Sequence, residues 1–457
     1  MSNLKINPVL SFHQGTLLLK NYNHEIDLPC FLWDARSKQW RAKAMYYDEI
    51  IRWLKSKNIS FEDHVTEISN LNLKLRMRLA LRPYQMESVK AWLDSKGQGS
   101  ICLPTGTGKT WVALKAIEHI NKSTLVVLPT LDLMNQWYDQ ITDAFGIAVG
   151  ILGGGNHEVC DVTVTTYDSA YIHMDKYGNR FGLLIFDEVH HLPAVTFSHI
   201  PEMAIAPYRL GLTATYQRTD GLHGKLERLV GPVVYEKSIK DLEGEHLAEY
   251  EIMKIAVDLT PKEKRSYTQY QKIYDHYIRE KGIKFYGEDL KTFLQESAYD
   301  PKARRAFLAR LETRRIIIGA DRKLEILESL LKLHHGDRVL IFTISNELVY
   351  KISEMFLIPA LTHHTKTVER KWILEMFRKG KYSVLVTSKV LNEGVDVPSA
   401  NVAIILSGSA SPVEHLQRLG RILRKEKNKQ AVLYELVTRG TKESQISYQR
   451  RRSDAYQ

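Results

Sequence analysis

The chain is 457 residues long, 44% hydrophobic and 26% charged, with a net charge of +11; the length predicts roughly three or four domains of about 100 to 150 residues, and the balance excludes a disordered chain. The excess of lysine and arginine favours a polyanionic partner, since basic side chains release counterions from phosphates on contact. Three scattered cysteines, Cys30, Cys102 and Cys160, form no CxxC pair, which excludes a zinc or iron-sulfur framework and fits a reducing compartment.

No basic-then-apolar leader opens the sequence, and no apolar run approaches the ~20 residues that span a bilayer, so a soluble protein of the cytoplasm with no membrane partner is expected. Residues 1–75 mix strand-like runs, Gly15 to Lys20 among them, with a helical period from Tyr46 to Lys57, and read as a small α+β domain. Trp33 and Trp40 flank a turn, Asp34-Ala35-Arg36-Ser37, and are expected to fill that domain's core. Over residues 76–244 the runs Ser100 to Leu103, Thr124 to Leu128, Leu183 to Phe186 and Tyr208 to Leu212 alternate with helices from Thr110 and Leu131. Apolar runs of that kind predict an α/β fold whose parallel sheet is covered on both faces. Residues 260–311 turn charged and tyrosine-rich without a strand and read as a helical insertion. Tyr267, Tyr270, Tyr274 and Tyr277 share one face of it, a stripe read as packing. The alternation resumes over 312–440 with Arg338 to Phe342, Tyr382 to Val386 and Val402 to Leu406, and a strand near Met253 to Leu259 adds residues 245–259 to this second lobe. Residues 441–457 form a basic tail in which Arg450-Arg451-Arg452 reads as a solvated run or as phosphate contacts.

The chemistry is concentrated in two short segments. Pro104-Thr105-Gly106-Thr107-Gly108-Lys109-Thr110 follows a predicted strand and opens a predicted helix, the setting a phosphate-binding loop requires. Its glycines let backbone NH groups face a phosphate, and the helix N-terminus adds favourable partial charge. Lys109 is expected to reach the β- and γ-phosphates of ATP, and Thr110 to offer its hydroxyl to Mg²⁺. Asp187-Glu188-Val189-His190 leaves the C-terminal end of the strand Leu183 to Phe186, where α/β sheets bind ligands. Asp187 is expected to hold Mg²⁺, and Glu188 to orient and deprotonate the attacking water.

With these motifs the chain downstream of about Leu79 resembles superfamily 2 helicases, and the resemblance implies two RecA-like lobes. Leu212-Thr213-Ala214-Thr215 resembles motif III, so Thr213, Thr215 and His190 are implied to couple hydrolysis to nucleic-acid binding. Pro129-Thr130 with Gln136-Trp137, and Thr165-Thr166-Tyr167, resemble strand-contacting motifs, which implies nucleic-acid contacts at Thr130, Gln136 and Thr166. Arg82-Pro83-Tyr84-Gln85 resembles the adenine-reading element, and the Gln85 amide can pair with adenine N6 and N7. Gly394-Val395-Asp396-Val397-Pro398 resembles motif V, which places Gly394 and Asp396 at the nucleotide. The run Gln417 to Arg424 resembles motif VI, with Gln417 in coupling. Arg421 and Arg424, three apart on one helix face, are implied as fingers on the γ-phosphate; such fingers contribute roughly 10³ to 10⁵ in rate.

Within the superfamily the sequence resembles the XPB (xeroderma pigmentosum group B) repair helicases in a short archaeal-type form, on Leu81 to Gln85, Leu210 to Thr215, and Gln417 with Gly420-Arg421. This implies a damage-recognition domain at 1–75, a thumb-like insertion gripping DNA at 260–311, 3′ to 5′ polarity, forked, single-stranded or damaged DNA as partner, a structure-specific nuclease as a further partner, and a monomeric motor in nucleotide excision repair or promoter opening. Where the family has Arg-Glu-Asp after motif III, this chain has Arg218-Thr219-Asp220, a departure that bears on strand separation at Arg218 and Asp220. Three other readings stand beside this one: an RNA helicase, a duplex translocase that never separates strands, and an ATP-gated DNA clamp or scaffold presenting a nuclease. The pairs His190-His191, His334-His335 and His363-His364 lack companion thiols or carboxylates and, His190 apart, read as structural.

Overall fold

A computed structural model describes residues 7–22, 30–76, 81–216, 221, 224–242, 250–283, 288–388, 400–408 and 431–450. They fall into two compact units, one running to Asp241 and the other starting at Leu242.

The first unit opens with strands β1 (Val9–His13), β2 (Thr16–Lys20), β3 (Phe31–Asp34) and β4 (Gln39–Lys43), helix α1 (Tyr47–Ser56) and strand β5 (Glu62–His64). They build a five-stranded sheet in the order β3-β4-β2-β1-β5. Leu10, Leu17, Leu19, Ile50 and Leu54 fill its core. Trp33 does not: it is 51% exposed, on the sheet's edge strand, and meets Trp40 edge-on at 5.3 Å. Strand alternation sets Trp33 on the face of the inward Phe31 and opposite the neighbouring Leu32, and at the edge of the sheet no further strand among the described residues lies beyond Trp33.

The next elements are α2 (Pro83–Asp94), β6 (Gln98–Cys102), α3 (Lys109–Ile120), β7 (Thr124–Leu128), α4 (Leu131–Phe145), β8 (Gly150–Gly153), β9 (Asn156–His157), β10 (Val162–Thr166), α5 (Tyr167–Tyr177), β11 (Leu183–Asp187), α6 (His199–Glu202), β12 (Tyr208–Thr213), α7 (Gly224–Leu229), β13 (Val233–Glu236) and α8 (Ile239–Leu242). Their sheet has the order β13-β6-β12-β11-β7-β10-β8-β9, parallel from β13 to β8 and antiparallel only at β9. Strands β7, β10 and β11 are buried along their whole length, as a sheet covered on both faces demands.

The N-terminal sheet is bound to this lobe by the chain between them. Glu67 NH donates to Asn179 O, Ser69 and Ser123 exchange backbone and side-chain bonds, and Arg76 NH donates to Ala144 O. At the centre stands Asn121, the left-handed residue (φ +50°) that ends α3. Its amide accepts from Leu73 NH at 2.6 Å and donates to Leu73 O at 3.2 Å, while Glu118 accepts from Leu75 NH at 2.9 Å. Asparagine suits the site because it tolerates φ > 0 and carries both a donor and an acceptor. Asn121→Ala is expected to cost about 2 to 4 kcal/mol, from a strained alanine plus the three side-chain hydrogen bonds lost to Leu73 NH, Leu73 O and Glu118 O; Asn121→Gly, free of the strain, should cost about half of that. Urea unfolding measures both, and equal losses would refute the backbone part of this account.

In the second unit come β14 (Tyr250–Val257), α9 (Pro261–Lys281), α10 (Glu288–Glu296), α11 (Pro301–Ile318), α12 (Asp321–Leu333), β15 (Val339–Phe342), α13 (Asn346–Phe356), β16 (Ala360–Leu361), α14 (Thr367–Arg378), β17 (Val384–Thr387), β18 (Val402–Ile405), β19 (Ala431–Thr438) and α15 (Lys442–Arg450). The sheet order is β14-β19-β18-β15-β17-β16, every pair parallel. Helix α9 starts on a capping box, Thr260 with Glu263, and a proline at the first helical position. Tyr274 and Tyr277 pack with Phe293, Ala303, Ala306 and Ala309, so the insertion has its own core. Its second long helix runs on past residue 311 to Ile318, because Thr313, Ile317 and Ile318 continue the buried face. Among the described residues no helix is long and apolar enough to cross a membrane.

Candidate active site

The phosphate-loop segment joins β6 to α3 with Gly106 at φ +86° and Gly108 at φ +79°. A side chain at Gly108 would also meet Gln85 Nε2 at 2.7 Å and Trp111 Cδ1 at 2.9 Å, so glycine is required there twice over. Thr107 is buried, and its hydroxyl donates to Pro104 O at 2.7 Å, closing the loop on itself. Lys109 Nζ donates to Leu103 O at 3.1 Å, and Leu103 NH donates to Thr213 O at 2.9 Å, tying the loop to β12.

Two residues brace the loop from α2. Tyr84 OH and Gln85 Nε2 both donate to Thr107 O, at 2.8 and 2.7 Å, and Gln85 Oε1 accepts from Arg82 NH at 2.9 Å. The Gln85 amide therefore holds the loop and caps α2, and one N–H and one lone pair remain to it for a base. Motif reading did not single out Tyr84 as a brace, nor Trp111, which stays 39% exposed beside Gly108 although the three residues after it are buried.

Strand β11 delivers the acidic pair. Asp187 is buried, and its two carboxylate oxygens accept from Trp137 Nε1–H at 3.1 Å and from Glu188 NH at 3.0 Å. Burial, then the charge of Glu188, pushes its pKa up to about 6, against the pull of Lys109. Glu188 sits at φ +49°, a conformation costly for a non-glycine residue and found where surrounding structure holds it. Its Oε2 is buried without a hydrogen bond and lies 3.4 Å from His190 Nδ1. That nitrogen also meets Thr213 Oγ1 at 3.1 Å. The Thr213 hydroxyl donates its one proton to Thr215 O at 2.8 Å, so the His190 Nδ1 carries the hydrogen and donates to Thr213.

The spatial order β6, β12, β11, β7, β10 thus sets along one C-terminal sheet edge the phosphate loop, Thr213, Asp187-Glu188, Thr130 and Thr166. Thr130 and Thr166 are the N-caps of α4 and α5, their hydroxyls accepting from Leu133 NH and Ser169 NH. Gln136 is half-buried on α4. Arg218, Asp220, Gly394, Asp396, Gln417, Arg421 and Arg424 lie outside the described residues. Among the described residues no cluster of three or more His, Cys, Asp or Glu could hold a metal; the hydroxyl of Thr110 and the carboxylate of Asp187 are hard oxygen donors of the kind Mg²⁺ takes with phosphate and water. His334 is held by Asp337 and Tyr434, both at 2.9 Å.

Comparison with known proteins bears on the same segments. Residues 78–218 match the family "Type III restriction enzyme, res subunit", residues 322–426 the "Helicase conserved C-terminal domain", and residues 10–65 the "Xeroderma pigmentosum group B helicase damage recognition domain". The chain is 41% identical to the DNA 3′-5′ translocase XPB2 of Sulfurisphaera tokodaii, over 97% of this chain and 99% of that one. It is 30% identical to the DNA 3′-5′ helicase XPB of Kineococcus radiotolerans, over 82% of this chain and 62% of that one. In fold it is similar to the helicase domain of Hef from Pyrococcus furiosus, with a TM-score of 0.53 at 18% identity, over 82% of this chain and 99% of that one.

Proposed function

The chain belongs to the XPB family of superfamily 2 helicases, and from that premise we propose that it is an ATP-driven motor that moves 3′ to 5′ on DNA and separates strands in repair or duplex opening. The observation that carries the reading is the gathering of Lys109, Thr110, Asp187, Glu188, His190 and Thr213 on three adjacent parallel strands and their loops.

Lys109 and the loop amides bind the β- and γ-phosphates, and Thr110 and Asp187 hold Mg²⁺. When bound, the metal neutralises developing charge on the phosphates. Asp187 is oriented by its two donors. Glu188, with a carboxylate oxygen that meets no donor but the neighbouring imidazole, takes the proton of the attacking water. His190 and Thr213 then sense its change of charge. We assign Arg421 and Arg424 to the γ-phosphate, Gly394 and Asp396 to the nucleotide and Gln417 to coupling by their place in the family motifs. Arg218, Asp220, Thr130, Gln136 and Thr166 are assigned to DNA on the same ground. A structure-specific nuclease partner and action as a monomer complete the proposal.

A translocase that moves on duplex without opening it is the second reading, favoured by the name of the Sulfurisphaera tokodaii relative and by Thr219 in place of glutamate. Unwinding of duplexes bearing a 3′ or a 5′ single-stranded tail separates the readings. ATP-dependent opening of the 3′-tailed substrate is the expected result. Displacement of a triplex strand without duplex opening would select the translocase, and ATPase stimulation by RNA alone would overturn both.

A further inference from the structure

Two side chains join the acidic pair to the helices that start at the DNA end of the sheet edge. Trp137 lies on the second turn of α4, seven residues from its N-cap Thr130, or about 10 Å along the helix. It is 1% exposed, and its indole N–H, a donor with no alternative role, meets Asp187 Oδ2 at 3.1 Å. Tyr167 is the first residue of α5, directly after its N-cap Thr166. It is 2% exposed, and its hydroxyl donates to Asp187 O at 3.0 Å, with Glu188 O at 3.5 Å. One helix therefore grips the carboxylate of Asp187. The other grips the backbone on both sides of the strained Glu188. Each grip comes from a helix that begins with a threonine assigned to DNA, and neither runs through the His190-Thr213 contact.

We propose that Trp137 and Tyr167 are positioning residues through which DNA held at the N-termini of α4 and α5 sets the geometry of Asp187 and Glu188. The inference rests on the DNA-motor reading above. A helix is stiff over two turns, so a shift of its N-terminus on binding phosphate moves Trp137 with it. Tyr167 sits even nearer the contact. The hydroxyl on the two carbonyls supplies part of the constraint that a left-handed glutamate needs, and its release lets Glu188 leave the geometry that holds its buried oxygen beside His190.

Linkage gives a test that does not depend on turnover: if DNA sets the nucleotide site, nucleotide changes DNA affinity by the same factor. The affinity of the full chain for a fluorescent tailed duplex is measured by anisotropy with and without a non-hydrolysable ATP analogue and Mg²⁺, in the parent, Trp137→Phe, Tyr167→Phe and the double variant. In the parent the ratio of the two affinities is expected to fall in the range of about 5 to 150 typical of such coupling. Each single variant should reduce it by at least about threefold and the double variant should bring it near one. Phenylalanine keeps the buried ring of Tyr167 and only a smaller aromatic ring at Trp137, so Tyr167→Phe alone carries the test if Trp137→Phe does not fold. A parental ratio retained in Tyr167→Phe and in every variant that folds removes this inference and leaves the motor reading standing. A parent whose DNA affinity ignores nucleotide removes the motor reading, and this inference with it.

Discussion

Replacing Glu188 by glutamine is expected to lower ATP turnover by about 10² to 10⁴-fold, the contribution of a positioned general base, while ATP binding changes by no more than a few fold. The amide has the shape of the carboxylate and suits the same backbone, so Lys109, Thr110 and the loop are left as they are. What it lacks is a site for the proton. Asp187 is the poorer candidate for that role, because both its oxygens already accept hydrogen bonds, whereas Glu188 Oε2 accepts none. The negative charge that faces His190 at 3.4 Å is lost as well, while the contact of that imidazole with Thr213 stays. Titration with a fluorescent ATP analogue reads binding, and phosphate release reads turnover. DNA opening should fall in parallel with turnover. A Glu188→Gln variant that opens DNA as well as the parent would remove the base assignment and favour the ATP-gated clamp.

The parts of this site legible from sequence are those that occupy consecutive residues. A glycine-rich turn between a strand and a helix, and two carboxylates at the end of an apolar strand, state their own context within a dozen residues each. What joins them is not local. Trp137 meets a carboxylate 50 residues away because β7 and β11 are neighbours, a register that no motif encodes. Gln85 reads as a base-pairing amide because its residue type permits it, and only packing shows that the Thr107 carbonyl occupies one of its donors. Trp33 illustrates the opposite limit: size and apolarity argue for the core, but an edge strand offers no cover. Part of the docking of the N-terminal sheet is written in backbone groups from residues 67–76, which are the same for every residue but proline and so leave no trace in composition; the rest lies in distant side-chain pairs such as Lys43 with Glu202 at 2.7 Å.

In the second unit the largest stability effect is expected at Lys323. The side chain is 1% exposed, and its ammonium donates to Leu406 O at 2.7 Å and to the two carboxylate oxygens of Glu443 at 2.9 and 2.8 Å. Glu443 Oε2 also accepts from Thr438 NH and Thr438 Oγ1, both at 2.8 Å. One pair thereby ties α12, the residue after β18, the end of β19 and the start of α15. Lys323→Met fills the volume but leaves Glu443 as a buried carboxylate without a cation, a change that costs about 3 to 5 kcal/mol. Removing both charges in Lys323→Met with Glu443→Leu should cost less than the single change, because no buried charge is then left alone; the Leu406 carbonyl and the Thr438 donors still lose their partners, so recovery is partial. Denaturant unfolding of the four forms gives the coupling as a double-mutant cycle. Losses that simply add would mean that the two side chains act independently, and the pair would then have no claim to hold these elements together.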